Sequence, residues 1–489
     1  MKKISAIIAA VVLAFALAMG DQIYSAVSSD QPWTWQGFKS IFTGSEAISI
    51  STTKPKLPAV TTIGKKEEVP LSYEERMQKG DYYREKGFWT YAANEYAKAS
   101  KLAPKSVAPY LRLTQANFEL GDYDKARADV EQILELEPAN TEAEFYLMLI
   151  NIKESQFDKA ESIISTLESS GITDPRLTFY KALIQIALGN HTAGKAFLLD
   201  VKKNPALGPE LKVKVDKMLA GYNEYEFSQG AEDLYLGELL SRGLNEINEY
   251  ELAIYKLKTI LKTRTDLRDA WNLLGFAYLN LNNTLFAVSA FEQAYKLDPQ
   301  LPATQYFLGI TYYELGRKDD ALVYLNYALS NGFEPKIVLE RKLADLYLDK
   351  GDYQKSVETY EKILKENKQD INAFVRPIWI YLDFLNEPDK ALKLGELAVV
   401  TFPENAMAYN LLGWSQIGTG NTVEAEKNLL KSIEMDSTQA APYYNLGKLY
   451  EATKEINKAK DAYQKAYELD QNGSIGNLAA KRYNILLVQ

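Results

Sequence analysis

Apolar and small residues recur at a fixed spacing through most of this chain, and the pattern is clearest between Arg268 and Leu301. Trp271, Leu274 and Tyr278 stand at i, i+3 and i+7, which places them on one face of a helix. Ala287, Phe291 and Ala294 make the same stripe on a second helix. Gly275 and Ala287 are small where two helix axes must approach, so neighbouring rings fill the space on either side. The stretch from Asn280 to Thr284 is short and polar, and Asp298 with Pro299 stops the second helix, because proline lacks an amide donor and restricts the residue before it. One such hairpin leaves an apolar face uncovered, so copies must stack.

Trp271, Leu274, Gly275, Tyr278, Ala287, Phe291, Ala294 and Pro299 fall at positions 4, 7, 8, 11, 20, 24, 27 and 32 of a 34-residue unit. In this they resemble the tetratricopeptide repeat at all of its signature positions. The resemblance implies an all-α fold: a right-handed α-solenoid of stacked helix-turn-helix units, preceded here by an N-terminal apolar leader or anchor helix. A first array of about four repeats spans residues 71–205, with units starting near Tyr73, Val107, Thr141 and Pro175. Ser72 and Glu75 have the spacing of a capping box at its start. Its third and fourth units, carried by Ala160, Ala182 and Pro205, are degenerate. The loop between helices recurs as Gly121-Asp122-Tyr123 and Gly351-Asp352-Tyr353, where glycine frees the chain for a left-handed turn and aspartate caps the next helix.

The register is lost over residues 206–233, which read as a junction holding one helix from Glu210 to Phe227. A second array of about seven repeats spans residues 234–473, with a weak unit near Leu234 and others near Arg268, Pro302, Ile337, Asn372, Ala406 and Ala440. Two of those steps are 35 residues, a one-residue loop insertion. Residues 474–489 fit a last amphipathic helix that would cap the exposed end.

Ahead of the arrays, Lys2 and Lys3 precede an apolar run from Ile4 to Met19. Residues 1–20 are therefore expected to be an export signal, either a cleaved signal peptide or a retained membrane anchor, with the repeats outside the cytoplasm. Residues 21–70 are rich in Ser, Thr and Pro and read as a linker with a reach of roughly 35–40 Å. Within it Trp33, Trp35, Phe38, Ile41 and Phe42 suit either a membrane interface or a segment that docks back on the repeats.

Charge and chemistry narrow the function. The 489 residues carry 56 basic and 65 acidic side chains, a net charge of -9, mixed along the chain, which argues against a nucleic-acid surface. Cysteine is absent, so disulfides, thiolate metal sites and lipidated cysteines are excluded. No glycine-rich phosphate loop, His-Glu-x-x-His pair or Gly-x-Ser-x-Gly elbow occurs. The one histidine, His191, falls in a loop and reads as a solvated side chain. Acidic clusters such as Glu135, Glu137, Glu142 and Glu144 read as solvated helix faces. No catalytic residue, metal or cofactor is expected.

Binding remains, because stacked hairpins create a concave groove. The resemblance implies that positions 2, 5, 6, 9, 12 and 13 line it. These give Asn272, Phe276 and Asn280 in one unit and Tyr306, Phe307 and Tyr313 in the next. Arg341, Lys342 and Asp345 follow, then Asn410 and Trp414, then Tyr444, Asn445 and Lys448. Phe276, Phe307 and Trp414 read equally as groove residues or as fillers between repeats. Asn445 and Lys448 match part of the family's carboxylate clamp, but the lysines of the preceding repeat are missing, so no clamp is expected. The expected function is a non-enzymatic scaffold of the cell envelope that binds protein segments in this groove. A self-assembling or multi-protein surface component, and an envelope glycan binder, are the alternatives.

Overall fold

Hairpins close where the first helix receives a large side chain from the second: a ring at Gly80, Gly275 and Gly447, and Leu429 at Gly413. The computed structural model describes residues 71–228, 232–366, 370–470 and 473–487, and among them every regular element is helical. The apolar run from Ile4 to Met19, the linker and the aromatic cluster from Trp33 to Phe42 lie outside the described residues. Among the described residues no helix is long and apolar enough to cross a membrane. The fold is an all-α solenoid of helical hairpins.

The described chain forms two compact units, one ending at Leu315 and the other beginning at Gly316. In the first, α1 (Tyr73–Glu85) pairs with α2 (Trp89–Leu102), and α3 (Val107–Glu119) with α4 (Tyr123–Leu136). Then α5 (Thr141–Lys153) pairs with α6 (Phe157–Ser169), and α7 (Pro175–Leu188) with α8 (His191–Lys203). A single helix, α9 (Pro209–Phe227), is followed by α10 (Asp233–Glu246), α11 (Tyr250–Thr263), α12 (Arg268–Asn280), α13 (Thr284–Leu297) and α14 (Pro302–Glu314). Residues 206–233, read above as a junction, lie within this unit. There α9 continues the stack: it packs on α8 and α10, and its Tyr222 hydroxyl donates to the His191 carbonyl at 2.8 Å.

The second unit holds α15 (Lys318–Ser330), α16 (Lys336–Asp349), α17 (Tyr353–Glu366), a 3-10 turn at Ile371–Phe374, α18 (Val375–Asp383) and α19 (Pro388–Thr401). It ends with α20 (Ala406–Gly418), α21 (Thr422–Met435), α22 (Ala440–Ala452), α23 (Ile456–Leu469) and α24 (Ser474–Leu487). Helix α24 covers the apolar face of α23, laying Ala479 and Leu486 against Ala459, Tyr463 and Ala466. Its Arg482 pairs with Glu451 of α22.

Close approach sets the repeat geometry. A Cβ on Gly275 would sit 2.7 Å from the Phe291 ring, and one on Gly447 would sit 2.5 Å from the Tyr463 ring. Gly275 and Gly447, at position 8, are therefore glycine because the aromatic at position 24 is pressed against the backbone there. The expected caps form as well. Ser72 Oγ accepts from the Glu75 amide while the Glu75 carboxylate accepts from the Ser72 amide, and Gly121 and Gly351 adopt φ values of 73° and 79°.

The unit near Asn372 departs from the sequence register. Tyr381 donates to Glu361 at 2.7 Å, 20 residues back, as position-11 Tyr312 donates to Glu292 in the other compact unit. Tyr381 therefore holds position 11, and the unit starts at Ile371, one residue earlier than the Asn372 of the sequence register. The extra residue lies after the helix: the Glu387 amide reaches six residues back to the Tyr381 carbonyl, whereas Asn421 reaches five residues back to Gln416. This register brings Trp379 to position 9, on the inner face.

Candidate partner-binding groove

The inner face of the third and fourth units of the first array is already filled. Leu149, Ile152, Leu183 and Ile186, at positions 9 and 12 of their units, are buried, and α11 packs against both α5 and α7. Lys153 lies 3.0 Å from both Glu249 and Glu251. Glu251 also accepts from the Tyr123 hydroxyl at 2.8 Å, and Glu249 from the Tyr180 hydroxyl at 3.2 Å. Burial opposes the Lys153 charge, but the two carboxylates hold its amine well above the usual lysine range. Helices apolar on every side must be covered on every side. The sequence signal was therefore present in Phe145, Leu149, Ile152, Phe179, Leu183 and Ile186, which make these two units look degenerate.

His191 is a correction to the sequence reading. It is the first residue of α8 rather than a loop residue, and its ring is half-buried with Nε2 2.7 Å from the Lys256 amine. Lys256 reaches in from α11 and donates to the Ile186 carbonyl at 2.8 Å. Burial, with the Lys256 charge beside it, holds the imidazole down at about 4. Burial alone lowers the Lys256 amine to about 8. The covering helix lies 65 residues further along the chain, which is why a local reading left His191 in solvent.

The candidates on α12 and α14 are also enclosed. Phe276 is 9% exposed, Asn280 7%, Tyr306 2% and Tyr313 7%. Phe276 meets Phe307 edge-on at 5.8 Å, and Phe307, half-buried, stacks on Phe291 at 5.3 Å. Asn280 donates to the Phe276 carbonyl of its own helix at 2.8 Å, and Asn272 accepts from the Thr304 hydroxyl at 2.9 Å. Here the filler alternative describes what the rings do: packing consumes their surface.

The second unit is different. Arg341 is tied to Asp370 at 2.8 Å, Asp345 accepts from the Tyr360 hydroxyl, and Lys342 is buried. Asn445 donates to Asn410 at 2.9 Å, so this buried amide pair bolts α20 to α22. Trp414, Tyr444 and Lys448 remain half-buried, with the Lys448 amine 5.9 Å from the centre of the Trp414 ring and Tyr444 5.6 Å from Tyr463. Position 9 of α18, α20 and α22 is thus Trp379, Trp414 and Lys448, a row across three neighbouring first helices. Trp379 was missed because the shifted insertion hid its position. Its indole N–H donates to Asp383 at 2.8 Å, and the Arg376 guanidinium lies over its ring at 5.3 Å. Phe384 meets that ring edge-on at 5.0 Å and stacks on Tyr353 at 4.5 Å. Such a surface can bury side chains against aromatic faces and offers two cations, but it assembles no nucleophile with a base. Among the described residues no group of His, Asp or Glu is placed to hold a metal ion.

Stacked helical hairpins with a glycine or alanine set against an aromatic define the class: an α-helical repeat protein. A tetratricopeptide repeat model matches residues 269–301, 342–370 and 440–472, and a second model of the same description matches residues 77–143. The chain is a tetratricopeptide-repeat protein. It is similar to a TPR repeat-containing protein of Methanocaldococcus jannaschii, 20% identical over 441 residues that make up 81% of this chain and 76% of that one. The peroxisomal targeting signal receptor of Candida albicans is 24% identical over 185 residues, 37% of this chain and 31% of the receptor. Among solved structures, yeast Tom70 is similar at 16% identity with a TM-score of 0.34, covering 85% of this chain and 96% of its own.

Proposed function

We propose that the protein is a non-enzymatic interaction scaffold of the cell envelope, and that it binds a segment of a partner protein on the inner face of α16, α18, α20 and α22. The observation that carries this reading is the contrast in exposure. Inner-face Leu149, Ile152, Leu183, Ile186, Phe276, Asn280, Tyr306 and Tyr313 are buried among the chain's own side chains, whereas Trp379, Trp414, Tyr444 and Lys448 keep open surface. Half-exposed tryptophans in a concave row match the anchors that dominate protein interfaces. The envelope location rests on the apolar run after Lys2 and Lys3, which would leave the repeats outside the cytoplasm.

The test is co-purification from detergent-solubilised envelopes with wild type and with Trp379→Ala plus Trp414→Ala. Loss of specific partners, with helicity and melting unchanged, supports the groove. Unchanged partners sink it. Phe276→Ala and Tyr306→Ala are unsuitable probes because those rings are core, and their removal would lower stability by about 3–5 kcal/mol.

A further inference from the structure

We infer that the partner segment is proline-rich and binds as a polyproline II helix, with prolines at every third position laid on Trp379, Trp414 and Tyr444. This rests on the groove assignment above and adds the chemistry of what fills it. Charge does not choose the occupant. Arg376 and Lys448, over the indoles of Trp379 and Trp414 at 5.3 and 5.9 Å, have no ion-pair partner among the described residues, and neither do Asp345 and Asp383. Two cations stand beside two carboxylates, so a segment of either sign meets repulsion as well as attraction.

Hydrogen bonding does choose. Acceptors of this face already serve the chain: Asp383 takes the Trp379 indole N–H, Asp345 the Tyr360 hydroxyl, and Asn410 the Asn445 amide. The Trp414 indole N–H and the Tyr444 hydroxyl have no hydrogen-bond partner among the described residues, and neither is sealed from water. An ordinary extended strand brings an amide donor with every carbonyl, and each donor needs a new acceptor once water leaves. Proline brings the carbonyl alone, which is what an unspent indole N–H can use. The rings agree. Trp379 and Trp414 are half-exposed, and the exposed Phe384 stands at 78° to the Trp379 ring with centres 5.0 Å apart. The C–H groups beside a proline nitrogen are slightly positive and suit the electron-rich face of an indole. Spacing points the same way. Helix α18 packs on α20 and α20 on α22, and packed helix axes lie roughly 8–10 Å apart. A polyproline II helix has three residues per turn and rises about 3.1 Å for each, so one turn advances about 9 Å and returns to the same face. Prolines three apart therefore meet successive repeats from one side, whereas on a β-strand they would point to opposite sides.

The full chain is titrated with three fluorescein-labelled twelve-residue peptides of serine, leucine and proline, all amidated at the C-terminus. The first has proline at every third position. The second has the same composition with proline at every second position, and the third has alanine in place of proline. Wild type is expected to bind the first at least tenfold more tightly than either control, with an affinity that a tenfold rise in salt leaves unchanged. Trp414→Phe keeps a ring but removes the N–H, and should weaken the first peptide several-fold. Equal binding of the three peptides, binding of none, affinity that falls with salt, or wild-type affinity in Trp414→Phe overturns the inference. So does binding of N-acetylglucosamine oligomers in place of the peptides, which makes the occupant a glycan. A peptide of residues 52–62, which carry Pro55 and Pro58, binding more tightly than the first would make the occupant this chain's own linker and overturns it too. If Trp379→Ala plus Trp414→Ala loses its envelope partners while wild type binds no proline peptide, the groove stands and its proline-rich occupant does not. If that variant keeps its partners, the groove itself falls.

Discussion

Glycine at position 8 is fixed by a neighbour's ring. The Phe291 ring lies where a Cβ on Gly275 would have to go, so Gly275→Ala forces either the ring or the hairpin to shift. A loss of about 1–3 kcal/mol is expected, read as a lowered melting temperature. Adding Phe291→Leu should return part of that loss, because a smaller, branched side chain vacates the contested space. If the double variant is no better than the sum of its single changes, the two residues do not compete. His191 is a residue-scale case with a pH signature. Its imidazole is held at about 4, below the ordinary value near 6.5, so between those pH values the unfolded chain binds the extra proton. Stability from this group is present above pH 6.5 and is lost as the pH falls towards 4. Solvent reaches the half-buried ring, so the contribution is about 1–2 kcal/mol. His191→Gln should therefore melt less pH-dependently than wild type between pH 6.5 and 4.5. Parallel curves would show that the ring is solvated after all. The Lys256 amine acts in a separate window, adding stability as the pH rises through about 8.

At the scale of elements, the seat of α11 on α5 and α7 is held by charge as much as by apolar contact. Lys153→Met would leave Glu249 and Glu251 buried against each other without their cation, a loss of about 3–5 kcal/mol. Adding Glu249→Gln and Glu251→Gln should recover most of it, since neutral amides can still accept from Tyr180 and Tyr123. Thermal melts of the single and triple variants decide the point, and a triple variant no more stable than Lys153→Met would show that charge is irrelevant there. This same contact marks where the sequence stopped being informative. Hairpins, caps and turns were legible because each depends on residues within one 34-residue unit: Gly275 with Phe291, Ser72 with Glu75, Gly351 with its φ. The filling of the first groove joins residues 96 and 98 apart, and no periodic pattern records which helix will lie over Lys153. The groove candidates suffered from the same gap. Their register was right for Trp414, Tyr444 and Lys448, yet position alone could not separate these from the enclosed Phe276 and Tyr306. Trp379 was lost for a different reason, because the unit length locates an inserted residue no better than the two ends of its repeat, and here it lay beyond the helix rather than before it.

At the scale of the whole molecule, a repeat protein should lose stability locally, because each unit is held chiefly by the units beside it. Helix α24 tests this directly. It shields Ala459, Tyr463 and Ala466 of α23, and its Arg482 neutralises Glu451 of α22. Removing residues 474–489 would return that face to water, at roughly 25 cal/mol for each square ångström exposed, and would leave Glu451 without its cation. Helices α22 and α23 should then lose most of their protection against amide hydrogen exchange. The effect should fade along α20 and α21 and be absent from residues 71–315, where the α11 seat is a separate source of stability. Exchange measured peptide by peptide distinguishes this graded loss from its opposite. A uniform fall in protection from α1 to α23 would mean that the chain unfolds as one cooperative body, and that the stacking of nearest neighbours does not set its stability.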